Sequence, residues 1–166
     1  MQNLKKKLFI FFLSLYLLVG SINSINSGIS FDENYEELNW NFQVSVVKNF
    51  TNTITNQENF NKKEFDEKVK SFVGYGIGFQ LISQPIQFFI KDLIKRNKNI
   101  DDFGAKLLAK HFVIFLFFFM SGIFFYLILK KIIDNENFNI IGTIIYLTYP
   151  YLFGQAMFSP KDIPFM

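Results

Sequence analysis

The sequence predicts an all-α integral membrane protein with about three transmembrane helices, plus amphipathic interfacial helices in a long external loop. Three observations carry that expectation. Residues 112–129 hold no charge and almost no polar group, and where water is absent a single segment satisfies its own backbone as a helix. Residues 138–158 are also uncharged. A further apolar run, residues 8–20, follows the basic start Lys5-Lys6-Lys7. The composition agrees: 50% of the 166 residues are hydrophobic and the mean hydropathy is positive. Phe occurs 24 times, but Phe, Ile, Asn and Lys share AT-rich codons, so the clustering of apolar residues weighs more than their number.

The first run is short against the about 20 residues a span requires, and Ile22, Ile25 and Ile29 extend it among Ser and Asn. A basic start with a short apolar core also describes a secretory signal peptide. No Ala-x-Ala site follows, although Val19-Gly20-Ser21 is a passable substitute. An uncleaved transmembrane helix within residues 1–29 is the expectation.

Residues 30–110 form the expected external loop with juxtamembrane helices. Phe31, Tyr35, Leu38, Phe42, Val46 and Phe50 recur every three or four positions, one apolar stripe on a helix. Ser30 and Glu33 have capping-box spacing and would start it. Residues 51–61 are polar and read as loop, and residues 62–70 as a charged, solvated stretch. Residues 71–90 are uncharged and long enough to cross, yet they contain Gly74, Gly76, Gly78, Gln80, Gln84, Pro85 and Gln87. Such a segment also suits the interface. Residues 91–110 are basic, with Asp101-Asp102-Phe103-Gly104 reading as a turn or helix start.

Residues 111–166 read as a transmembrane hairpin ending in an external Lys-Asp-Ile-Pro loop. Lys130 and Lys131 close the second span, and residues 130–137 are a short link. Pro150 removes one helical hydrogen bond, so the third span is expected to loosen near its end.

Two topologies follow. If residues 71–90 do not cross, Lys5–Lys7 and Lys130–Lys131 are both cytoplasmic, as the positive-inside rule requires. Asp32, Glu33, Lys161 and Asp162 then share the external face. If they do cross, the basic residues 91–110 become a cytoplasmic loop, which also obeys the rule, but Asp32 and Asp162 part company. The Gly, Gln and Pro content favours the three-span arrangement.

Several chemistries are excluded. With no cysteine there is no disulfide, thiolate metal site or cysteine nucleophile. A net charge of +3, dispersed along the chain, does not argue for nucleic acid. Two clusters remain. Asp32 and Glu33 open the amphipathic helix just past the first span: either an N-terminal dipole pair and cap, or a general base or metal ligand at the membrane surface. In Phe158-Ser-Pro-Lys-Asp-Ile-Pro164, two prolines bracket a Lys–Asp pair. That is either a stiff turn with a snorkelling lysine or a loop presenting a phosphate-binding cation beside a carboxylate able to hold a divalent metal. His111, the single histidine, sits at the rim of the second span, where an interfacial role is commoner than ligation. Tyr75, flanked by Gly74 and Gly76, suits a tight turn near a ligand or a helix interrupted by glycines. Asn49-Phe50-Thr51 fits a glycan acceptor pattern, a weak signal.

Together, the acidic pair after the first span, the amphipathic loop, Tyr75-Gly76, His111 and above all Pro150-Tyr-Leu-Phe-Gly-Gln-Ala-Met-Phe-Ser-Pro-Lys-Asp-Ile-Pro164 resemble the GT-C superfamily of membrane glycosyltransferases. The likeness is to the branch of dolichyl-phosphate-mannose protein mannosyltransferases and lipid A aminoarabinose transferases. It spans most of the chain and is most specific over residues 150–164. It implies transfer of a sugar, with inversion, from a polyprenyl-phosphate donor to an acceptor on the extracytoplasmic face of a plasma or inner membrane. By the same resemblance Asp32 is the catalytic base, supported by Glu33. Lys161, Tyr75 and His111 bind substrate, and Asp162 lies near the donor phosphate or a divalent metal such as Mg or Mn. Because such enzymes have many more spans, the resemblance implies an N-terminal fragment, inactive alone. Here Asn34 and Tyr35 follow the acidic pair, where the family often carries a His. The competing expectations are a small non-catalytic membrane scaffold or assembly subunit, and a transporter fragment with a rim ion site. The absence of acidic residues inside the three expected spans weighs against the transporter.

Overall fold

The computed structural model describes residues 2–29, 31–56 and 78–158. Its elements are α1 (Gln2–Asn26), α2 (Phe31–Asn56), α3 (Gly78–Lys98), α4 (Asp102–Ile132), α5 (Glu136–Thr148) and α6 (Pro150–Gln155), with no strand among the described residues. The chain forms two compact units: Met1–Ile29 with Ser83–Met166, and Ser30–Ile82.

In the first unit α1 runs antiparallel to α4. Phe9 meets Tyr126 near one end, with ring centroids 5.1 Å apart, and Ser27 meets His111 near the other. Glycine sets the approach in between. A Cβ on Gly20 would lie within 3.0 Å of three atoms of the Phe115 ring, and Phe115 is fully buried. Gly122 on α4 likewise leaves room for Leu147 of α5. Small residues at crossing points, rather than large interlocking ones, are how helices pack when lipid surrounds them.

Both α1 and α4 are long and apolar enough to cross a membrane. The 31 residues of α4 rise about 46 Å at ~1.5 Å per residue, well beyond a hydrocarbon core of about 30 Å. Its helix starts ten residues before the uncharged run at Phe112, so it crosses the boundary expected at residues 110 and 111. Asp101 explains the early start: its side chain accepts from the Gly104 N–H at 3.1 Å, an N-cap. Much of the apolar surface is left outward. Phe11 on α1 is 66% exposed and Phe124 on α4 59%.

The third apolar segment departs from the expectation of one loosened helix. It is two helices broken at Tyr149, whose backbone is extended (φ −61°, ψ 118°) as the residue before a proline prefers. Pro150 then opens α6, where its missing N–H costs nothing. By itself α5, with 13 residues, rises only about 20 Å. The link from α4 is tight. Ile133, Asp134 and Asn135 make the turn, and Asn135 caps α5 by accepting from the Asn137 N–H at 3.0 Å.

The C-terminal part of α3 belongs to this unit. Ile94 packs with Ala105, Leu108 and Ala109 of α4, joined by Ile25, Ile90 and Ile100. Asn99 closes α3 in the left-handed region (φ 50°), its N–H bonded to the Lys95 carbonyl at 3.0 Å. Two ion pairs span the junction: Lys91 to Asp102 at 2.8 Å and Lys95 to Asp102 at 2.6 Å. They hold the Asp102 carboxyl well below its ordinary range, at about 2, and raise the Lys91 ammonium above its own. Of the ambiguous residues 71–90, those from 78 onward are the start of α3, which continues through the charged residues to Lys98 and is not among the helices apolar enough to cross.

The second unit is built on α2. The helix runs to Asn56, so residues 51–56 are helical where a loop was expected. The segment is polar but carries neither Gly nor Pro to stop a helix. Tyr35 and Leu38 of the apolar stripe are 56% and 52% exposed, whereas Glu33, Glu37 and Asn39 are buried.

Candidate functional site

Polar groups converge at the end of the first unit where α1 finishes and α4 begins. The Ser27 hydroxyl lies 2.6 Å from the Ser24 carbonyl, 2.8 Å from His111 Nδ1 and 3.3 Å from the Met157 carbonyl. A hydroxyl has one proton, and a carbonyl only accepts. The short contact to Ser24 takes that proton, so His111 Nδ1–H donates to Ser27 Oγ, with the Ser24 carbonyl a second acceptor at 3.3 Å. The tautomer is thus set by the geometry. Lys98 donates to the Ile25 carbonyl at 2.6 Å, a cation on the last turn of α1. His111, Ser24 and Lys110 are buried.

The opposite end is basic. Lys5 donates to Asn137 Oδ1 at 2.9 Å, and Lys6 and Lys130 flank one groove. Between the two ends the α5–α6 segment and its flanks meet α1 and its flank at four places. Asn137 meets Lys5, the Tyr16 hydroxyl donates to the Leu147 carbonyl, Phe153 packs on Tyr16 with ring centroids 5.8 Å apart, and the Met157 carbonyl meets Ser27.

Of the residues singled out from the sequence, His111 is internal and tied to α1. Asp32 is the second residue of α2, and Glu33, next to it, is buried. Tyr75, Lys161 and Asp162 lie outside the described residues. Among the described residues no three His, Asp or Glu groups gather as a metal site would need. Ser24 and Ser27 escaped the sequence reading. The signal was present as Gly20 and Ser24, small residues one turn apart on α1, followed by Ser27 and Gly28 just past its end.

The described residues therefore form an all-helical arrangement, and two helices among them have membrane-crossing length and apolarity; the first unit is locked by polar contacts at one end and basic at the other. Comparison with protein-family models, curated proteins and solved structures gave no match.

Proposed function

We propose that this chain is a multi-pass membrane protein in which α1, α4 and the combined α5–α6 segment cross, and that it serves sugar transfer from a polyprenyl phosphate on the extracytoplasmic face. The supporting observation is the course of α5–α6 beside α1, from Asn137 at Lys5 to Met157 at Ser27. Neither short helix is long enough alone, but together they match the depth of α1. Lys5–Lys7 and Lys130–Lys131 then lie on the cytoplasmic side, as the charge rule prefers. Ser27, just past α1, and Met157, just past α6, meet at one end; Asp32 follows the first in sequence, and Lys161 and Asp162 follow the second.

In this reading Asp32 takes the proton from an acceptor hydroxyl as its oxygen attacks the anomeric carbon. The bond from that carbon to the phosphate oxygen breaks, and polyprenyl phosphate leaves with the electron pair. Lys161 counters the charge that builds on the departing phosphate, an interaction worth most in a dry site. Glu33, buried beside Asp32 in sequence, supports the base. Tyr75 and His111 serve substrate, His111 by bracing the end of α1. Asp162 is the residue for a divalent ion such as Mg or Mn, whose chemistry would be to neutralise phosphate.

A second reading, a non-catalytic membrane scaffold, is favoured by the internal bonding of His111, which a purely structural contact explains equally well. One experiment separates the topologies. With no native cysteine to interfere, Ser30→Cys and Ser159→Cys are introduced singly and labelled in intact cells with a membrane-impermeant thiol reagent. Labelling of both from outside is expected. Labelling of Ser159→Cys only after lysis would separate the two acidic clusters and end the transferase reading. Given the expected topology, transfer is read in the source cells with the substitution made in the native gene: its loss in Asp32→Asn with the labelling unchanged favours the enzyme, and its persistence favours the scaffold.

A further inference from the structure

The basic end of the first unit contains a groove of about 340 Å³ between α1, α4 and α5. Its walls are Phe9, Ile10, Leu13, Ile123 and Leu127, and Lys6 and Lys130 line it as exposed side chains. Tyr126 and Thr143 complete the lining, and the Tyr126 hydroxyl is occupied, donating to Glu136 at 2.7 Å. An apolar slot with cations on both flanks is chemically matched to an amphiphile with an anionic head. The surroundings keep the sign: Lys5, Lys7 and Lys131 stand nearby in the chain, against Asp134 and Glu136.

We infer that this groove binds one anionic glycerophospholipid of the cytoplasmic leaflet, its phosphate between Lys6 and Lys130 and its upper acyl carbons along Phe9, Ile10, Leu13, Ile123 and Leu127. The inference rests on the membrane placement of α1 and α4 proposed above, and not on sugar transfer. The groove is at the opposite end of the first unit from Ser27 and His111. Its volume lies in the range of small-ligand sites, about 300–1,000 Å³. Basic pockets between membrane helices on the cytoplasmic side select phosphate head groups, and the long stems of Lys6 and Lys130 let their ammonium groups reach the head-group level.

The test uses the full chain purified in detergent, after alkaline carbonate extraction has established that it is membrane-integrated. Failure at that step strikes the membrane reading itself. Native mass spectrometry then follows binding of added dioleoyl phosphatidylglycerol and dioleoyl phosphatidylcholine. At low ionic strength the expected preference for phosphatidylglycerol is roughly 25-fold, from about fivefold per lysine. It should fall to near unity in Lys6→Gln/Lys130→Gln and persist in Lys7→Gln/Lys131→Gln. Leu13→Trp, which fills the slot, should weaken retention of both lipids. A preference surviving Lys6→Gln/Lys130→Gln would overturn the inference. Equal loss in both lysine pairs would do the same, since it reports diffuse surface charge. So would a dimer carrying no lipid, which would make a second copy the occupant.

Discussion

Gly20→Ala tests the helix packing most directly. The added methyl would stand within 3.0 Å of three Phe115 ring atoms, and that ring is fully buried, so something must shift. Overpacking of this kind costs about 1–3 kcal/mol. The substitution also carries an opposite term, because Ala favours a helix over Gly by about 1 kcal/mol. A double-mutant cycle separates the two. With Phe115 present, Gly20→Ala should be neutral to destabilising by up to ~2 kcal/mol, the difference of those terms. In a Phe115→Ala background the clash is gone, and the same change should stabilise by about 1 kcal/mol. The coupling isolates the contact at about 1–3 kcal/mol. The assay is reversible unfolding by dodecyl sulfate in mixed micelles, read by energy transfer between dyes on Lys7→Cys and Lys131→Cys, exposed positions at one end of α1 and α4. Equal stabilisation in both backgrounds would mean that α1 and α4 do not meet at Gly20, and the antiparallel pairing would have to be redrawn.

Three further expectations use the same unfolding assay or a direct titration. Ser27→Ala removes the nearer of two acceptors of His111 Nδ1–H and leaves the Ser24 carbonyl; it should cost about 0.5–1.5 kcal/mol, and the loss should not add to that of His111→Ala, whereas additive losses would disprove the contact. Asp101→Ala removes the α4 cap and should cost about 1 kcal/mol, with Asp101→Asn largely restoring it; equal loss in both would point to charge rather than capping. The Asp102 carboxyl, followed by carbon-13 chemical shift, should titrate at about 2. Because its folded value is depressed, the stability it contributes is present above its ordinary pKa of 3.8 and fades as pH falls from there through about 2, leaving the α3–α4 junction unchanged by this group near neutral pH. A midpoint near 4 would mean that Lys91 and Lys95 do not engage it.

How far the fold was legible varies with the physics of each segment. The core of α4 was plain because eighteen uncharged residues leave no alternative to a lipid or protein interior. Its true start was not, since residues 102–111 mix charge with apolar groups and the decisive feature was a single cap at Asp101. Pro150 announced a disturbance, but whether a proline loosens a helix or starts a new one depends on the backbone of the preceding residue, which sequence does not give. The helix of α2 was legible as a period, while the exposure of Tyr35 and Leu38 depends on surroundings that periodicity does not specify. At the candidate site, His111 was visible as the lone histidine. Ser24 and Ser27 looked like filler because serine is ordinary on a helix and its partners arrive from residues more than eighty positions away.

The break at Tyr149 leaves the Leu147 carbonyl without its helical donor, because α5 has ended, and the Tyr16 hydroxyl takes that place. The donor is translated 131 residues before the acceptor. During synthesis, then, the replacement is waiting before the need arises: α1 has already been made when the broken segment emerges. Packed without α1, the fractured helix would leave that carbonyl bare. The order of the chain thus doubles as an assembly schedule, with the first helix acting as template for the last.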